Sequence, residues 1–463
     1  MKQKEFEKKF VNKIIHGKCR KVMKDMPDNC IDTIITDPPY GLGFMGKEWD
    51  TFDAKHLEHK RKTSKRKKTA RPNYDPNVLS NEMSDAWNAG RYDFSRNVEF
   101  QRWFTSWAKR ALRIAKPGAM MFVFGGTRTF HRLTCAIEDA GWEIRDCMMW
   151  LYGSGFPKSL DISKAIDKAK GAEREVVGSY SVPNIKGDAY GTMNEKQGGS
   201  YKNITQNITT PATDLAKQWN GWGTALKPSW EPIIVAMKPL DGTFAENVEK
   251  WGVGGLWIDG GRIGTDEVLS AEYGQPSGSG CYNWNKEKKK VEKTGKTNNK
   301  GRWPANVILD EEAAAMLDKQ SGVSNSTDRV QKNNQGWGDG IKYGKGNAQD
   351  SYGFADSGGC SRFFYTAKAS KSERDKENKH PTVKPLSVME YLCKLARTPT
   401  GGIVLDPFGG SGTTALACKR THRSYILIEK NPKYCEIARQ RIKKMKTGIS
   451  VTQQKQGFKG LLG

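Results

Sequence analysis

The sequence lacks the usual features of a secreted protein, of a membrane protein and of a protein stabilised by disulfides or a structural zinc ion. Its 463 residues contain no run of 18 apolar residues, and its first residues, Met-Lys-Gln-Lys-Glu-Phe-Glu, contain no apolar core of a secretion signal. The nine cysteines are scattered and none forms a Cys-x-x-Cys pair, so neither a disulfide framework nor a zinc ribbon is predicted. We expect a cytoplasmic protein with reduced thiols and without a membrane partner.

Acidic residues are also scarce relative to basic ones. Lys+Arg 76 and Asp+Glu 51 give a net charge of +25, which favours nucleic acid as a partner through phosphate contacts and counterion release. The richest stretch, 54–72, has nine basic residues and one acid, and is either a solvated loop or a contact for the nucleic-acid backbone. We expect such contacts from Lys65, Arg66, Lys67 and Lys68. His56 and His59 in this stretch have ligand-like spacing but no cysteine nearby, so no metal site is predicted.

Segments typical of strands and helices alternate at both ends of the chain. Near the start, the pattern predicts strands at 11–15, 31–36, 119–124 and 143–151, with helices at 20–26, 98–115 and 128–140. Near the end, it predicts helices at 386–397, 413–419 and 432–446, with strands at 402–405 and 424–428. This alternation predicts a doubly wound α/β sheet of mostly parallel strands, divided between two segments of the sequence.

The middle of the chain differs in character from both ends. Between 155 and 377 it is rich in Gly, Asn, Ser and Lys, holds eight of the 14 tryptophans, and has weak periodicity. We therefore divide the chain into a first half-domain at 1–154, an inserted irregular region at 155–377, a second half-domain at 378–446 and a flexible tail at 447–463.

One segment near the start combines a strand with a turn suited to amine chemistry. Ile-Ile-Thr-Asp-Pro-Pro-Tyr, residues 34–40, is an apolar run that ends in a rigid turn. Asp37 and the Pro38 carbonyl can accept hydrogen bonds from an amine. Pro39 stiffens the turn, and Tyr40 offers an aromatic face that can stack on a planar ligand. An ordinary turn would also fit this segment taken alone.

A second segment has the form of a cofactor loop. Val-Leu-Asp-Pro-Phe-Gly-Gly-Ser-Gly-Thr-Thr, residues 404–414, joins a strand to a helix through a glycine-rich turn that lets a ligand approach the backbone closely. Glu429 ends the next predicted strand, 17 residues beyond Gly412, where an acid can accept hydrogen bonds from both hydroxyls of a ribose. The turn could instead bind a dinucleotide or a phosphate, or bind no ligand. The absence of a following Gly-Lys-Ser/Thr argues against a P-loop.

Together these two segments resemble the catalytic and cofactor loops of DNA amino-methyltransferases. Their order, with the catalytic loop first, is that of the circularly permuted beta group of the family, and parts of the middle region resemble phage-associated members. The family's D-x-F-x-G-x-G-T signature is matched, around Pro407, by Asp406, Phe408, Gly410, Gly412 and Thr413. The resemblance covers roughly 11–151 and 378–446.

The resemblance implies a Rossmann-like sheet of seven strands and S-adenosylmethionine as the cofactor, with no metal. The glycine-rich turn would hold the cofactor, and Glu429 would bind its ribose. His380 and Lys384 match a family segment that lies against the methionine moiety, where Lys384 would face the carboxylate. Lys18 departs from the family, because the aspartate usual at that position helps to hold the adenine ring and a lysine has no acceptor for its amine.

By resemblance, the reaction is methylation of the N6 amino group of adenine at a specific site in double-stranded DNA. The Asp-Pro-Pro-Tyr form is usual in adenine enzymes, whereas cytosine-N4 enzymes more often begin with serine, so cytosine stays the alternative base. Asp37 and Pro38 would accept from the amine and Tyr40 would stack, after the base is flipped out of the duplex. The middle region would recognise the target sequence.

Two alternative functions are also compatible with the sequence. The chain could be a non-catalytic nucleic-acid-binding protein that keeps the fold, for which Lys18 is the support. It could also methylate RNA. A homodimer and a cognate restriction endonuclease are the protein partners that the family suggests.

Overall fold

The structure, a computed structural model, describes residues 3–41, 94–155, 159–183, 203–264, 301–325, 357–368 and 383–445. Its strands are β1 (Lys13–His16), β2 (Ile31–Thr36), β3 (Ala115–Phe124), β4 (Glu143–Leu151), β5 (Val176–Pro183), β6 (Asn203–Thr209), β7 (Trp230–Met237), β8 (Val307–Asp310), β9 (Ser324–Asn325), β10 (Ser357–Gly358), β11 (Tyr365–Ala367), β12 (Ile403–Asp406) and β13 (Ser424–Glu429). Its α-helices are α1 (Gln3–Phe10), α2 (Cys19–Val22), α3 (Phe94–Ile114), α4 (Phe130–Glu138), α5 (Ile162–Ala169), α6 (Asp214–Gln218), α7 (Phe244–Trp251), α8 (Ile258–Gly261), α9 (Glu311–Ser321), α10 (Leu386–Leu395), α11 (Thr413–Arg420) and α12 (Pro432–Lys444). None of these helices is long and apolar enough to cross a membrane.

Nine of the strands form one sheet, in the order β1-β13-β12-β2-β3-β7-β4-β8-β11. All neighbours run parallel except β7, which is antiparallel to β3 and β4. This is the doubly wound, mostly parallel α/β fold that the sequence predicts. The expected number of seven strands is wrong, because β8 and β11 extend the edge beyond β4. With four and three residues, these strands are too short to leave a periodic pattern.

Strand β7 lies inside the sheet although it comes from the range 155–377. It pairs with β3 from Met237 to Ile233 and continues along β4 as far as Trp230. Its last six residues are buried, as expected for a strand covered on both faces. The sheet therefore draws β7, β8 and β11 from the range that the sequence treats as a separate irregular region, and target recognition by the rest of that range stays a prediction.

Helices cover the sheet on both faces. On one face, Phe104 and Trp107 of α3 pack against β2 and β3, and on the other, Leu392 of α10 and Leu416 of α11 pack against β12. All six residues of β2 are buried between these layers. Helix α1, which the sequence did not predict, adds Phe6 to the first face.

The elements predicted for the two sheet segments are confirmed with small shifts. Strand β4 has the predicted bounds, whereas α3 begins at Phe94, before the predicted 98. Strand β12 is displaced by one residue, and α12 ends at Lys444 rather than 446. Differences of one or two residues are normal at the ends of elements, whereas the first four residues of α3 are helix that the sequence did not predict.

The candidate site residues gather at one edge of the sheet, the carboxyl edge, where β2, β3, β4, β12 and β13 end. Parallel strands in α/β sheets place their ligand sites at this edge. Strand β7 begins there because it runs the other way. The residues that follow β2, β12 and β13 are thus brought beside the first residues of β7.

A small unit, the insert unit, lies between β4 and β7 in the sequence and consists of α5, β5, β6 and α6. Strands β5 and β6 form their own antiparallel sheet. The buried Asp167 accepts hydrogen bonds from Arg174 Nη1 at 2.7 Å and from Thr213 Oγ1 at 2.8 Å, which fixes α5 against the start of α6. The unit follows the end of β4, so it is connected at the carboxyl edge.

Candidate active site

The Asp-Pro-Pro-Tyr turn directly follows the buried strand β2. The Tyr40 hydroxyl donates to Asp37 Oδ1 at 2.9 Å, and the Tyr40 carbonyl accepts from Thr129 Oγ1 at 2.7 Å. Gly41 has a φ of +71°, and a side chain there would meet the ring of Phe100. These contacts join the two ends of the turn to each other and hold it beside the start of α4 and the Phe100 ring of α3.

Four polar side chains meet around this turn and form the Asp37 cluster: Asp37, Tyr40, Glu231 and Lys384. Lys384 Nζ lies 3.0 Å from Asp37 Oδ2 and 3.0 Å from Glu231 Oε2. It also donates to the Tyr40 hydroxyl at 3.0 Å, so its three N–H donors have three partners. The Tyr40 hydroxyl lies 3.2 Å from Glu231 Oε2 as well as close to Asp37.

Burial and the two carboxylates together set the protonation states of Lys384 and Tyr40. Burial opposes the charge on Lys384, but Asp37 and Glu231 outweigh it and raise the pKa of Lys384 above its usual value. Burial, followed by the same two carboxylates, raises the pKa of Tyr40 well above its usual value. At neutral pH, Lys384 is therefore an ammonium and Tyr40 a neutral phenol.

A buried carboxylate joins the ends of β2 and β12. Asp406 Oδ1 accepts from Thr36 Oγ1 at 2.7 Å and from the Phe408 N–H at 3.0 Å, and Oδ2 accepts from Thr414 Oγ1 at 2.5 Å. Asp406 is thus bound to the last residue of β2, to the following turn and to α11. Burial outweighs these hydrogen bonds and raises the pKa of Asp406 to about 6.

The raised pKa of Asp406 predicts a pH-dependent effect of Asp406→Asn. The folded chain holds this proton more tightly than the unfolded chain, so the contribution of Asp406 to stability is complete below 3.8 and is lost as the pH rises through about 6. Between pH 4 and pH 7, the wild type should lose about 2 kcal/mol more unfolding free energy than Asp406→Asn. Urea denaturation at both pH values measures this difference. The exposed Asp25→Asn is the control, and parallel pH profiles for wild type and Asp406→Asn would contradict the prediction.

The glycine-rich turn after β12 is shaped by its neighbours. Gly412 has a φ of +88° and begins α11, and a side chain there would come 2.8 Å from the Cβ atom of Ala438. The Gly410 N–H donates to Glu429 Oε2 at 2.9 Å, and the Asn431 N–H donates to Oε1 at 2.6 Å. Glu429 therefore closes the turn from the end of the adjacent strand, and burial raises the pKa of its carboxyl.

Aromatic side chains of α3 support the same turn. The ring centroid of Phe408 lies 5.5 Å from that of Trp103 and 5.3 Å from that of Trp107. Such contacts add to the packing energy of the rings and fix the Phe408 side chain. Helix α3, which ends just before β3, thus braces the turn that follows β12.

The structure brings most of the residues predicted from the sequence to the carboxyl edge. Asp37 and Tyr40 lie with Lys384 in one cluster, and Asp406 and Glu429 hold the glycine-rich turn in which Pro407, Phe408, Gly410, Gly412 and Thr413 lie. Lys384 contacts protein carboxylates, so its contact with a cofactor carboxylate stays a prediction. His380 and the basic residues Lys65, Arg66, Lys67 and Lys68 lie outside the described residues.

The sequence did not predict Glu231, Thr36 or Thr414 as parts of this edge. Glu231 is an acid just before an apolar run, and that position is the one local sign of it. The exposed Lys18 lies beside the end of β13, where the Gly17 N–H donates to the Glu429 carbonyl at 2.9 Å. Among the described residues, no group of three or more His, Cys, Asp or Glu is suited to hold a metal ion.

Comparison with known proteins shows a family match along most of the chain. Residues 31–440 match the N6_N4_Mtase family, described as DNA methylase. Over 435 residues, the chain is 24% identical to the type II methyltransferase M.HindIII of Haemophilus influenzae, covering 91% of both chains. Over 78 residues, it is 41% identical to the type II methyltransferase M2.DpnII of Streptococcus pneumoniae, covering 17% of this chain and 29% of that protein.

Solved structures align with the chain at low scores. The cytosine-N4-specific PvuII DNA methyltransferase has 13% identity and a TM-score of 0.39, with 95% of this chain and 89% of that chain covered. A putative DNA modification methylase of Thermus thermophilus, complexed with S-adenosyl-L-methionine, has 12% identity and a TM-score of 0.36, with 95% and 96% covered. The family match, by contrast, includes both the Asp-Pro-Pro-Tyr turn and the glycine-rich turn. The chain belongs to the N6/N4 family of DNA methylases.

Proposed function

We propose that this protein transfers a methyl group from S-adenosylmethionine to the N6 amino group of adenine in double-stranded DNA. The observation that carries the proposal is the 2.7 Å hydrogen bond from Thr36 to Asp406. It joins the strand that presents Asp37 to the strand that begins the glycine-rich turn. An acceptor for an amine and a turn suited to a nucleoside cofactor are thereby fixed side by side.

The residues of the glycine-rich turn fit this cofactor. Each oxygen of Glu429 accepts one backbone N–H, and a carboxylate oxygen has two lone pairs, so each can accept one ribose hydroxyl. The eight residues of helix α11 follow Gly412, and the first N–H groups of the helix point toward the turn. When bound, the cofactor supplies an electrophilic methyl group. Because Lys18 has no acceptor for the adenine amine, either another group accepts from it or the cofactor is bound more weakly.

The Asp-Pro-Pro-Tyr turn would orient the target amine. Its nitrogen lone pair is delocalised into the ring, and acceptors aimed at its hydrogens favour the charge that develops as the nitrogen becomes tetrahedral. Asp37 and the Pro38 carbonyl are those acceptors, with Pro39 fixing the direction of the turn. Tyr40 would stack on the base, which must be flipped out of the duplex. Positioning of amine and methyl group in line would supply much of the rate.

We assign the target base as adenine because the turn begins with aspartate. Cytosine-N4 methylation is the second candidate, since both amines need the same acceptors and the sequence preference is a tendency. The order of the two turns along the chain, with β2 before β12, supports the circularly permuted beta group. A non-catalytic role is disfavoured by Asp37, Tyr40 and the complete glycine-rich turn, which a binding protein does not need.

Recognition of the DNA site is assigned to the part of 155–377 outside the main sheet. The insert unit follows the end of β4 at the carboxyl edge, on the same side as Asp37. Directly after α6 the chain presents Trp219 and Trp222, which are 42% and 56% exposed and whose ring centroids lie 5.9 Å apart. Large exposed aromatic groups beside a catalytic edge are suited to contact a distorted duplex. The net charge of +25 adds attraction to the phosphate backbone.

Incubation with unmethylated double-stranded DNA and S-adenosylmethionine tests the function. After digestion to nucleosides, mass spectrometry should detect N6-methyladenine, which would be absent when cofactor is omitted. Detection of N4-methylcytosine alone would keep the reaction and overturn the choice of base. Methylated nucleosides from an RNA substrate alone would overturn DNA as the substrate. No methylated nucleoside from either polymer would favour a non-catalytic role.

A further inference from the structure

The Asp37 carboxylate is already engaged in the structure. Its Oδ1 accepts from the Tyr40 hydroxyl, and its Oδ2 pairs with the Lys384 ammonium at 3.0 Å. An amine that approaches Asp37 therefore meets a carboxylate bound to an ammonium and to a phenol. For Asp37 to accept a hydrogen bond from the target amine in the proposed reaction, at least the Lys384 ammonium has to move away from it.

Glu231 binds the same two groups as Asp37. Its Oε2 lies 3.0 Å from Lys384 Nζ and 3.2 Å from the Tyr40 hydroxyl. The side chains of Asp37 and Glu231 are 21% and 23% exposed, and that of Lys384 is 10% exposed. Two carboxylates thus share one largely buried ammonium, and one of them can release it without leaving it unpaired.

The position of Glu231 is set by a strand inside the sheet. Glu231 pairs with Trp150 in the register of β7 and β4, and the next residue, Pro232, is already buried. A residue that pairs with a neighbouring strand is held more firmly than a residue on a loop. Asp37, by contrast, lies on the turn beyond β2. Glu231 is therefore the firmer of the two anchors for Lys384.

We propose that Glu231 is a positioning residue of the catalytic site: it retains the Lys384 ammonium and the Tyr40 hydroxyl when Asp37 releases them to bind the target amine. The proposal rests on the function proposed above. Breaking an ion pair by stranding a buried charge is costly, whereas passing the ammonium from one carboxylate to another keeps it paired. Glu231 acts through Lys384 and Tyr40 and touches neither the methyl group nor the base.

Single-turnover methyl transfer to DNA by four variants tests the proposal. Glu231→Gln keeps the shape of the side chain but loses the charge, and should transfer about 10- to 100-fold more slowly, as expected for the loss of a hydrogen bond to a charged group. Its affinity for S-adenosylmethionine should stay within about twofold of wild type, because Glu231 lies outside the glycine-rich turn. The exposed Glu249→Gln on α7 is the matched control and should transfer at the wild-type rate.

The decisive comparison removes the ammonium. In a Lys384→Met background no ammonium needs to be retained, and the Gln side chain still offers an oxygen that can accept from the Tyr40 hydroxyl. Adding Glu231→Gln should therefore change the transfer rate by less than about threefold. The double variant should also transfer faster than Glu231→Gln alone. A merely structural role for Glu231 would slow transfer equally in both backgrounds. If Glu231→Gln alone does not fold, Lys384→Met and the double variant can still be compared with each other, and a loss of more than about threefold between them contradicts the proposal.

The outcomes separate the two proposals. If the wild type methylates DNA but Glu231→Gln transfers at the same rate, only the role of Glu231 is overturned. An equal loss with and without Lys384 also overturns that role. If the wild type methylates no polymer, the proposed function fails, and the positioning role fails with it.

Discussion

Asp37→Ala should reduce methyl transfer to DNA by about 100- to 1000-fold, as expected when an acceptor aimed at the developing charge is removed. Asp37 directly follows β2, next to the strand that carries the glycine-rich turn. Among the described carboxylates, only Glu231 also contacts the Tyr40 hydroxyl. Transfer of tritium-labelled methyl groups under single-turnover conditions measures the loss. Affinity for S-adenosylmethionine should change little, because the glycine-rich turn is held by Asp406 and Glu429.

Asp28→Ala is the matched control for Asp37→Ala. Asp28 precedes the same strand, is exposed, and pairs with Arg113 on the surface, so its loss should leave transfer unchanged. Thermal unfolding of both variants checks that the fold is kept. Asp37→Ala that transfers methyl groups at more than a tenth of the wild-type rate would exclude Asp37 as the acceptor of the amine.

Glu429→Ala should weaken binding of S-adenosylmethionine by about 100-fold, because a hydrogen bond to a charged group contributes roughly 1.5–3 kcal/mol. The substitution removes the acceptor for the ribose and also releases the N–H groups of Gly410 and Asn431. Isothermal titration calorimetry measures the affinity directly. DNA binding, followed by mobility shift at a fixed salt concentration, should remain close to wild type.

Glu436→Ala separates the loss of this carboxylate from a general change in charge. Glu436 lies on α12, the helix that follows β13, and is exposed. Its replacement should leave cofactor affinity within about twofold of wild type. Equal affinities for Glu429→Ala and Glu436→Ala would mean that Glu429 does not bind the ribose.

The sequence predicted the parts of the site whose signals are local. An apolar run followed by Asp37, and another followed by the turn that ends at Gly412, each define a strand and its turn within about ten residues. The link between them, from Thr36 to Asp406, joins residues that are 370 positions apart, and no local pattern indicates it. The pairing of β2 with β12 follows only once the whole sheet is known.

Glu231 was missed for a related reason. The run Ile-Ile-Val-Ala-Met at 233–237 has the composition of a buried strand, but it stands in a region of weak periodicity and was grouped with that region. Its insertion between β3 and β4 depends on pairing with both, which is a property of the assembled sheet. The first residues of β7 reach the carboxyl edge only because that strand is antiparallel, so the role of Glu231 could not be inferred before the topology was known.

The distance along the chain between β2 and β12 also affects how the protein is made. A ribosome adds about 5–20 residues per second, so β12, the partner strand that carries Asp406, would be synthesised roughly 20–75 seconds after β2. During that time the backbone groups on one side of β2 have no strand to pair with, and its apolar residues lack the cover of α10 and α11. Such open strand edges attract other chains. Slow, late closure of the sheet therefore makes the newly made chain dependent on protection from aggregation until its last quarter has been synthesised.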